Sequence, residues 1–255
     1  MNSMAIFSGF GVGAIVGMTG VGGGSLMTPL LLSVFRLSPA VAIGTDLWFA
    51  AITKSAGSAS HHRAGHVRWK ITVPLLAGSL PASIGTIALM HRTGLTGAWS
   101  SALTLSLGIA LMFTAVTVAY RHAWQRVGLQ LERVITARRQ TPLTVICGVV
   151  LGILVSLSSI GAGAIGATLI LLVHPRLPAR HIVGTDIAHA VPLTLVAGIG
   201  HATLGHVEWG LLGWLLLGSV PGIWLGAQLT RRMPERVVRA LLCGALLVAG
   251  IKVMA

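Results

Sequence analysis

The chain has 255 residues, 54% of them apolar and only 9% charged, with a mean hydropathy of +0.87; soluble domains carry about 25% charged residues, so this chain cannot clothe itself in a hydrated surface. Its formal charge of +13 does not signal nucleic-acid binding, because the basic residues stand between apolar runs, as loop Lys and Arg do when they orient membrane helices. Cys147 and Cys243 lie singly inside apolar runs, read as small core residues, and no metal or cofactor site is expected of them.

Taken in chain order, Met1-Asn2-Ser3-Met4 puts no basic residue ahead of the first apolar run, which is therefore expected to be retained rather than cleaved. That run covers roughly 5–35 and is interrupted at Gly20-Val21-Gly22-Gly23-Gly24. Three ordinary spans follow at roughly 40–62, 71–91 and 97–119. Residues 121–140 hold Arg121, Arg126, Arg133, Arg138 and Arg139 against Glu132, which predicts a connecting loop with an amphipathic helix on the membrane surface. Pro142 fits the start of the next helix. A second broken run, roughly 143–173, precedes spans at roughly 180–201, 209–229 and 235–254. The expected organisation is a first membrane module over 1–120, a basic cytoplasmic connecting loop over 121–141 and a second membrane module over 142–255.

The modules repeat one another. Gly44-Thr45-Asp46 recurs as Gly184-Thr185-Asp186, and at the same offset His61 pairs with His201 and Trp69 with Trp209. Gly65-His66-Val67 pairs likewise with Gly205-His206-Val207, and Gly78-Ser79-Leu80-Pro81 with Gly218-Ser219-Val220-Pro221. At an offset one residue shorter, Val21-Gly22-Gly23-Gly24 aligns with Ile160-Gly161-Ala162-Gly163. Chance apolar similarity does not hold a register through Asp, His, Trp and Pro, so the chain is a duplication.

Two topologies fit this pattern. If the broken first run of each copy crosses the membrane, the chain has eight plain transmembrane helices and its basic residues divide almost evenly between the sides. If that run is a re-entrant hairpin, each copy crosses three times and the copies are inverted. Only Arg36, Arg92 and Lys252 then lie opposite the remaining basic residues, with Lys54 set aside as intramembrane. The positive-inside rule favours the second arrangement: an all-α inverted repeat with six full crossings, two re-entrant hairpins and both termini outside the cytoplasm.

Broken helices meeting near the midplane are where secondary transporters bind their substrates. Gly22, Gly23 and Gly24 free the chain to turn and expose N–H groups that cradle an anion, with Ser25 and Thr28 adding hydroxyls. Gly161 and Gly163, beside Ser158 and Ser159, repeat the feature. The competing explanation is close helix packing through small residues. Lys54 sits near the middle of its span and is unmatched in the second copy, where Thr194 takes its place; it is a candidate anion ligand, or else a structural partner for Asp46 or Asp186. Asp46 and Asp186 are candidates for proton coupling or for a structural role at the start of a helix, with His189 nearby. His61, His62 and His66, echoed by His201 and His206, lack carboxylates at ligand spacing and read as interfacial histidines rather than a metal site. Trp69, Trp124 and Trp209 fit an aromatic belt. No Ser–His–Asp order, HExxH or P-loop is present, so no enzymatic activity is expected.

At these residues the chain resembles the TauE/SafE sulfite exporter family of small permeases that move sulfur-containing anions. The resemblance rests on Gly20-Val21-Gly22-Gly23-Gly24 followed by Pro29, on Val41-Ala42-Ile43-Gly44-Thr45-Asp46, on Lys54-Ser55, His61 and Gly65-His66-Val67-Arg68-Trp69, and on the second-copy counterparts. It covers essentially the whole chain. The second turn departs from the first, reading Ile160-Gly161-Ala162-Gly163-Ala164, with alanines replacing two glycines. The resemblance implies a plasma-membrane permease for sulfite, a sulfonate or a related anion. Read from the residues themselves, an anion permease would hold its substrate between the paired turns, with Gly22, Gly23, Gly24, Ser25, Thr28, Thr45, Lys54, Gly161 and Gly163 as the substrate-binding candidates. The partners expected are a small anion and membrane lipid, with no nucleic acid. A cation or metal permease using the Asp and His residues, and a non-transporting scaffold, are the other classes the residues allow.

Overall fold

The computed structural model describes residues 2–19, 24–94, 97–132, 137–230, 240, 243–244 and 246–251. The described chain is helical throughout, in the order α1 (Asn2–Thr19), α2 (Gly24–Ser33), α3 (Pro39–Arg63), α4 (Trp69–Thr93), α5 (Gly97–Ala119), α6 (Arg121–Glu132), α7 (Ala137–Ser158), α8 (Ala164–Val173), α9 (Ala179–Thr203) and α10 (Trp209–Thr230). Among the described residues, five helices are long and apolar enough to cross a membrane: α4, α5, α7, α9 and α10. Apolar side chains stand outward along them, Leu105 at 56% and Val220 at 65% exposure among them, which is stable only against lipid. The molecule is a polytopic membrane protein. The span predicted at 235–254 lies mostly outside the described residues.

Helix α3 matches α9 in length but carries Asp46 and Lys54, which lower its apolarity below that of the other spans. These two counterpart helices run antiparallel at the centre of the bundle. Gly184, near the start of α9, lies against His66 just beyond the end of α3, and Gly44, near the start of α3, lies against His206 just beyond α9. Trp48 Nε1 donates to Gly198 O across the same interface at 3.0 Å.

Outer pairs obey the same exchange between copies. Helix α1 packs on α10, and α7 packs on α4. A Cβ on Gly148 would strike the backbone of Leu75, one on Gly152 that of Ser79, and Ser156 bonds Ser83 at 2.8 Å, so α4 and α7 run parallel. Gly9 and Gly13 meet Leu215 and Ser219 in the same way, which sets α1 parallel to α10. Small residues let the backbones touch, and dispersion across that contact holds the pairs in a solvent with no hydrophobic drive between helices.

The broken runs are hairpins. Helix α7 ends beside Ser83, while α4 continues to Thr93, about 15 Å further at 1.5 Å per residue. The chain turns at 159–163, and α8 comes back to the end from which α7 set out. There His174 Nε2 faces Thr144 Oγ1 at 3.2 Å, Leu171 and Leu172 lie on Gly128 of α6, and Arg176 pairs with Glu132 at 3.1 Å. So α7, although long and apolar enough to cross, leads into a turn within the bundle. Helix α1 begins level with α10 and α2 feeds α3 at that same end, which gives the first copy the same course; its turn at 20–23 lies outside the described residues.

Two local expectations need correction. Pro142 does not start its helix: α7 begins at Ala137, and the proline stands in its second turn. Trp124 is not at an exposed belt but packs against the main core and lies edge-on to Phe113 at 6.4 Å. Its helix, α6, folds back onto α8 and so carries the ring inward. Trp69 and Trp209 are half exposed, as a belt requires.

Candidate functional site

Each Gly-Thr-Asp triplet has three tasks, separated by the 100° that one helical residue turns. The glycine leaves room for the loop of the opposite copy, where any Cβ would meet the His206 or His66 backbone. The threonine anchors the helix that follows that loop: Thr45 Oγ1 accepts the Glu208 N–H at 3.0 Å, and Thr185 Oγ1 accepts the Arg68 N–H at 3.1 Å. Both groups precede helices whose first N–H groups have no partner within the helix. The aspartate faces the second arm of its own hairpin. Asp46 accepts a hydrogen bond from Thr28 of α2, and Asp186 Oδ1 lies where a Cβ on Gly166 of α8 would sit.

The loops reached by the triplets are rigid. Gly65 and Gly205, at φ of 70° and 75°, close α3 and α9 with a paired pattern: His66 N donates to His61 O at 3.0 Å and His206 N to His201 O at 2.9 Å. Their imidazoles pair too, His61 with His66 at 3.3 Å and His201 with His206 at 3.2 Å between Nδ1 atoms. Because His201 Nε2 meets the Ser156 carbonyl at 2.9 Å, that nitrogen carries the proton and Nδ1 accepts from His206. Burial lowers the His206 pKa below the ordinary histidine value, which keeps the ring neutral in its loop. The histidines are thus joints between the copies. Among the described residues, no three His, Cys, Asp or Glu side chains converge as metal ligands.

Between the aspartates stands Lys54, buried at 7% exposure. Its Nζ donates to Ala162 O in the turn between α7 and α8 at 2.5 Å. Asp46 and Asp186 both act on its charge, yet neither closes to ion-pair distance. The turn itself is held by Ser158, whose hydroxyl bonds Leu154 O at 2.7 Å and takes the Ile160 N–H at 3.2 Å. Gly161 and Gly163 adopt φ of 134° and 147°, a backbone that a side chain would strain, and Gly166 N donates to Gly161 O at 2.7 Å. Ser159 is in the left-handed region at φ 58°. It stands close to Asp46.

Four buried polar atoms in this region have no hydrogen-bond partner: Asp46 Oδ1, Asp186 Oδ1, Ser159 Oγ and His189 Nδ1. His189 is anchored through its other nitrogen to Ser79 of α4 at 2.9 Å, and Lys54 acts on its charge. Unpartnered groups at this depth each cost about 1–3 kcal/mol, so several gathered about one ammonium mark a place made for something polar.

The candidates from the sequence separate accordingly. Lys54, Gly161, Gly163, Thr28, Asp46 and Asp186 meet around the second turn. Thr45 does not: its hydroxyl is engaged at the far end of α3 by Glu208. Gly22 and Gly23 lie outside the described residues, as do the side chains of Gly24 and Ser25. Ser159, His189 and Gly166 join the site without having been singled out as ligands. Gly166 replaces Met27 of the first copy and His189 replaces Phe49, two polar-for-apolar or small-for-large exchanges that an intramembrane comparison of the copies exposes.

The sequence profile described as Sulfite exporter TauE/SafE matches residues 5–253. The chain belongs to this family. It is 36% identical over the full length of both chains to the probable membrane transporter protein YjnA of Bacillus subtilis. It is also 27% identical to the probable membrane transporter protein YdhB of the same organism, over 95% of this chain and 96% of that one. An archaeal relative, the probable membrane transporter protein MJ0441 of Methanocaldococcus jannaschii, is 25% identical over 77% of this chain and 70% of its own. No solved structure matches. The family and these relatives make the chain a membrane transporter.

Proposed function

We propose that the protein is a permease of the plasma membrane for a small anion, sulfite or a sulfonate before others, held at the turn between α7 and α8 and moved by alternating access. The observation that carries this is the lodging of Lys54. A lone ammonium at the centre of the bundle, bonded to a carbonyl of a glycine turn and left short of ion-pair contact with two carboxylates, offers an oxyanion a charge-assisted donor. The N-terminal end of α8, beginning at the Gly163 amide, adds dipolar attraction from the other side. An inorganic or organic sulfur oxyanion has oxygens on a compact tetrahedral centre, which suits donors converging from a turn, an ammonium and a hydroxyl. The same ammonium occupies the place a transported cation would need, which weighs against a cation or metal path.

Alternating access is supported by the exchange of parts between copies. The site lies on the contact between modules 1–120 and 142–255, and α3 and α9 cross it antiparallel, so rocking one module on the other would open it to either side in turn. The inverted arrangement with the connecting helix α6 in the cytoplasm keeps most Lys and Arg on one side.

Reconstituted protein tests this directly. Vesicles should take up labelled sulfite or methanesulfonate, and Lys54→Met should lower that flux at least tenfold while leaving insertion and melting temperature near the parent's. Uptake of neither anion by the parent would reject the reading.

A further inference from the structure

The two aspartates of the duplicated triplets are equivalent by sequence and unequal by surroundings. Asp46 is held on one oxygen by the Thr28 hydroxyl, itself fully buried. Asp186, 3% exposed, has no hydroxyl partner recorded on its free oxygen, and that oxygen hangs over the first turn of α8 in the hole left by Gly166. The Gly163 amide and the Lys54 ammonium are the groups that act favourably on its charge. Those are the donors that the anion reading assigns to the substrate. The Asp186 carboxylate therefore stands as a tethered anion in the seat that the anion reading gives to the substrate. At the offset that aligns the two turns, the first-copy counterpart of Gly166 is Met27, which carries a fully buried side chain where Gly166 has none.

Charge then couples the two occupants. The groups facing Asp186 that titrate are Lys54 and, further off, Asp46 on α3, with His189 on its own helix; α7 and α8 bring Ser159 and Gly163, and α4 brings Ser79 onto His189. With Lys54 protonated and both aspartates ionised, the centre holds one net negative charge. Adding an anion to it doubles a buried charge that is already costly at this depth. If Asp186 binds a proton as it yields its seat, the substrate's charge replaces the carboxylate's and the buried total is unchanged.

We infer that Asp186, and not Asp46, is the carboxylate that exchanges with the transported anion at the start of α8, taking one proton from the water on the entry side as it leaves, so that anion and proton cross together. This rests on the anion reading above. Asp46, secured by Thr28, stays in place as the fixed counter-charge of Lys54.

Two measurements on full-length protein separate the outcomes. In vesicles preloaded with unlabelled methanesulfonate, exchange against labelled methanesulfonate requires the anion seat alone. In empty vesicles with an acidic exterior, accumulation above equilibrium requires coupling. The parent should do both, and Asp186→Asn should still exchange but bring labelled anion only to equilibrium. Asp186→Asn should also bind methanesulfonate more tightly than the parent at pH 7.5, because its competitor is neutral, and its affinity should not vary from pH 5.5 to 7.5, whereas the parent's should weaken as pH rises. Asp46→Asn, which removes the fixed counter-charge of Lys54, should lower exchange and pH-driven accumulation together, whereas Asp186→Asn separates the two. A folded Asp186→Asn protein that neither binds nor exchanges would overturn the inference, by making the carboxylate a required ligand instead of a competitor. So would accumulation surviving in that variant. The parent's own stoichiometry, read with a pH-indicator dye in weakly buffered detergent solution, decides the matter if the variant does not fold: about one proton taken up per anion bound is expected, and none overturns the proposal. Exchange without proton uptake rejects this inference alone, while a parent that exchanges neither methanesulfonate nor sulfite rejects the anion reading with it.

Discussion

At the scale of single residues, the Gly-Thr-Asp triplets show how a short motif serves fold and function at once. Thr45 and Thr185 each satisfy a backbone N–H at the base of a helix belonging to the other copy. Replacing either by Val keeps the shape and removes the acceptor, so each variant should lose about 0.5–1.5 kcal/mol of stability, the net worth of one part-buried hydrogen bond. Because the two sites are counterparts, the fall in melting temperature in detergent should be similar for Thr45→Val and Thr185→Val. A negligible effect at both would show that the threonines do not anchor those helices. Lys54 belongs to a different order of effect, since its removal is expected to empty the anion seat rather than loosen the bundle.

At the scale of elements, the parallel pairs α1–α10 and α4–α7 depend on backbones that touch. Gly78, Gly148 and Gly152 line one such seam, and Gly9, Gly13, Gly218, Gly222 and Gly226 line the other, each set so that a Cβ would strike backbone across the contact. Backbone cannot step aside as a flexible side chain can, so Gly148→Leu should separate α7 from α4 and cost about 1–3 kcal/mol or more. Gly85→Leu and Gly210→Leu are the matched controls, since nothing lies within 4 Å of a Cβ at either position. Thermal unfolding in detergent should show a large drop for the first and small changes for the other two. Equal drops would show that the backbone contact is not what the leucine disrupts, since leucine is a better helix former than glycine. The hairpins themselves rest on these seams, because α1 and α7 are the arms that carry each turn to its depth.

At the scale of the whole molecule, the prediction concerns sidedness. With α6 placed in the cytoplasm, a membrane-impermeant maleimide applied to intact cells should label Asn2→Cys and leave Gln130→Cys unlabelled until the membrane is permeabilised, both in a background of Cys147→Ala and Cys243→Ala. Labelling in the reverse order would invert the molecule and with it the side on which the basic loops lie.

Much of this architecture was legible in the sequence. Lipid as solvent followed from composition alone, since 9% charged residues cannot hydrate a surface. The duplication followed from Asp, His, Trp and Pro held at one offset, and Gly161 and Gly163 marked where α7 and α8 part, at φ values that favour glycine. What the sequence left open was the use of equivalent residues. Nothing in it distinguishes Asp46 from Asp186, or says that Thr45 faces a distant helix base while its neighbour faces a turn. Those differences arise from contacts across many residues: Thr28 with Asp46, Gly166 beneath Asp186, Lys54 with Ala162. A duplicated sequence specifies two like modules, and counterparts such as Thr45 and Thr185 keep like neighbours where the modules meet, but Lys54 is matched only by Thr194, so the centre it occupies is unsymmetrical. Only the packing of one copy against the other decides which residue anchors the fold and which is left free to exchange.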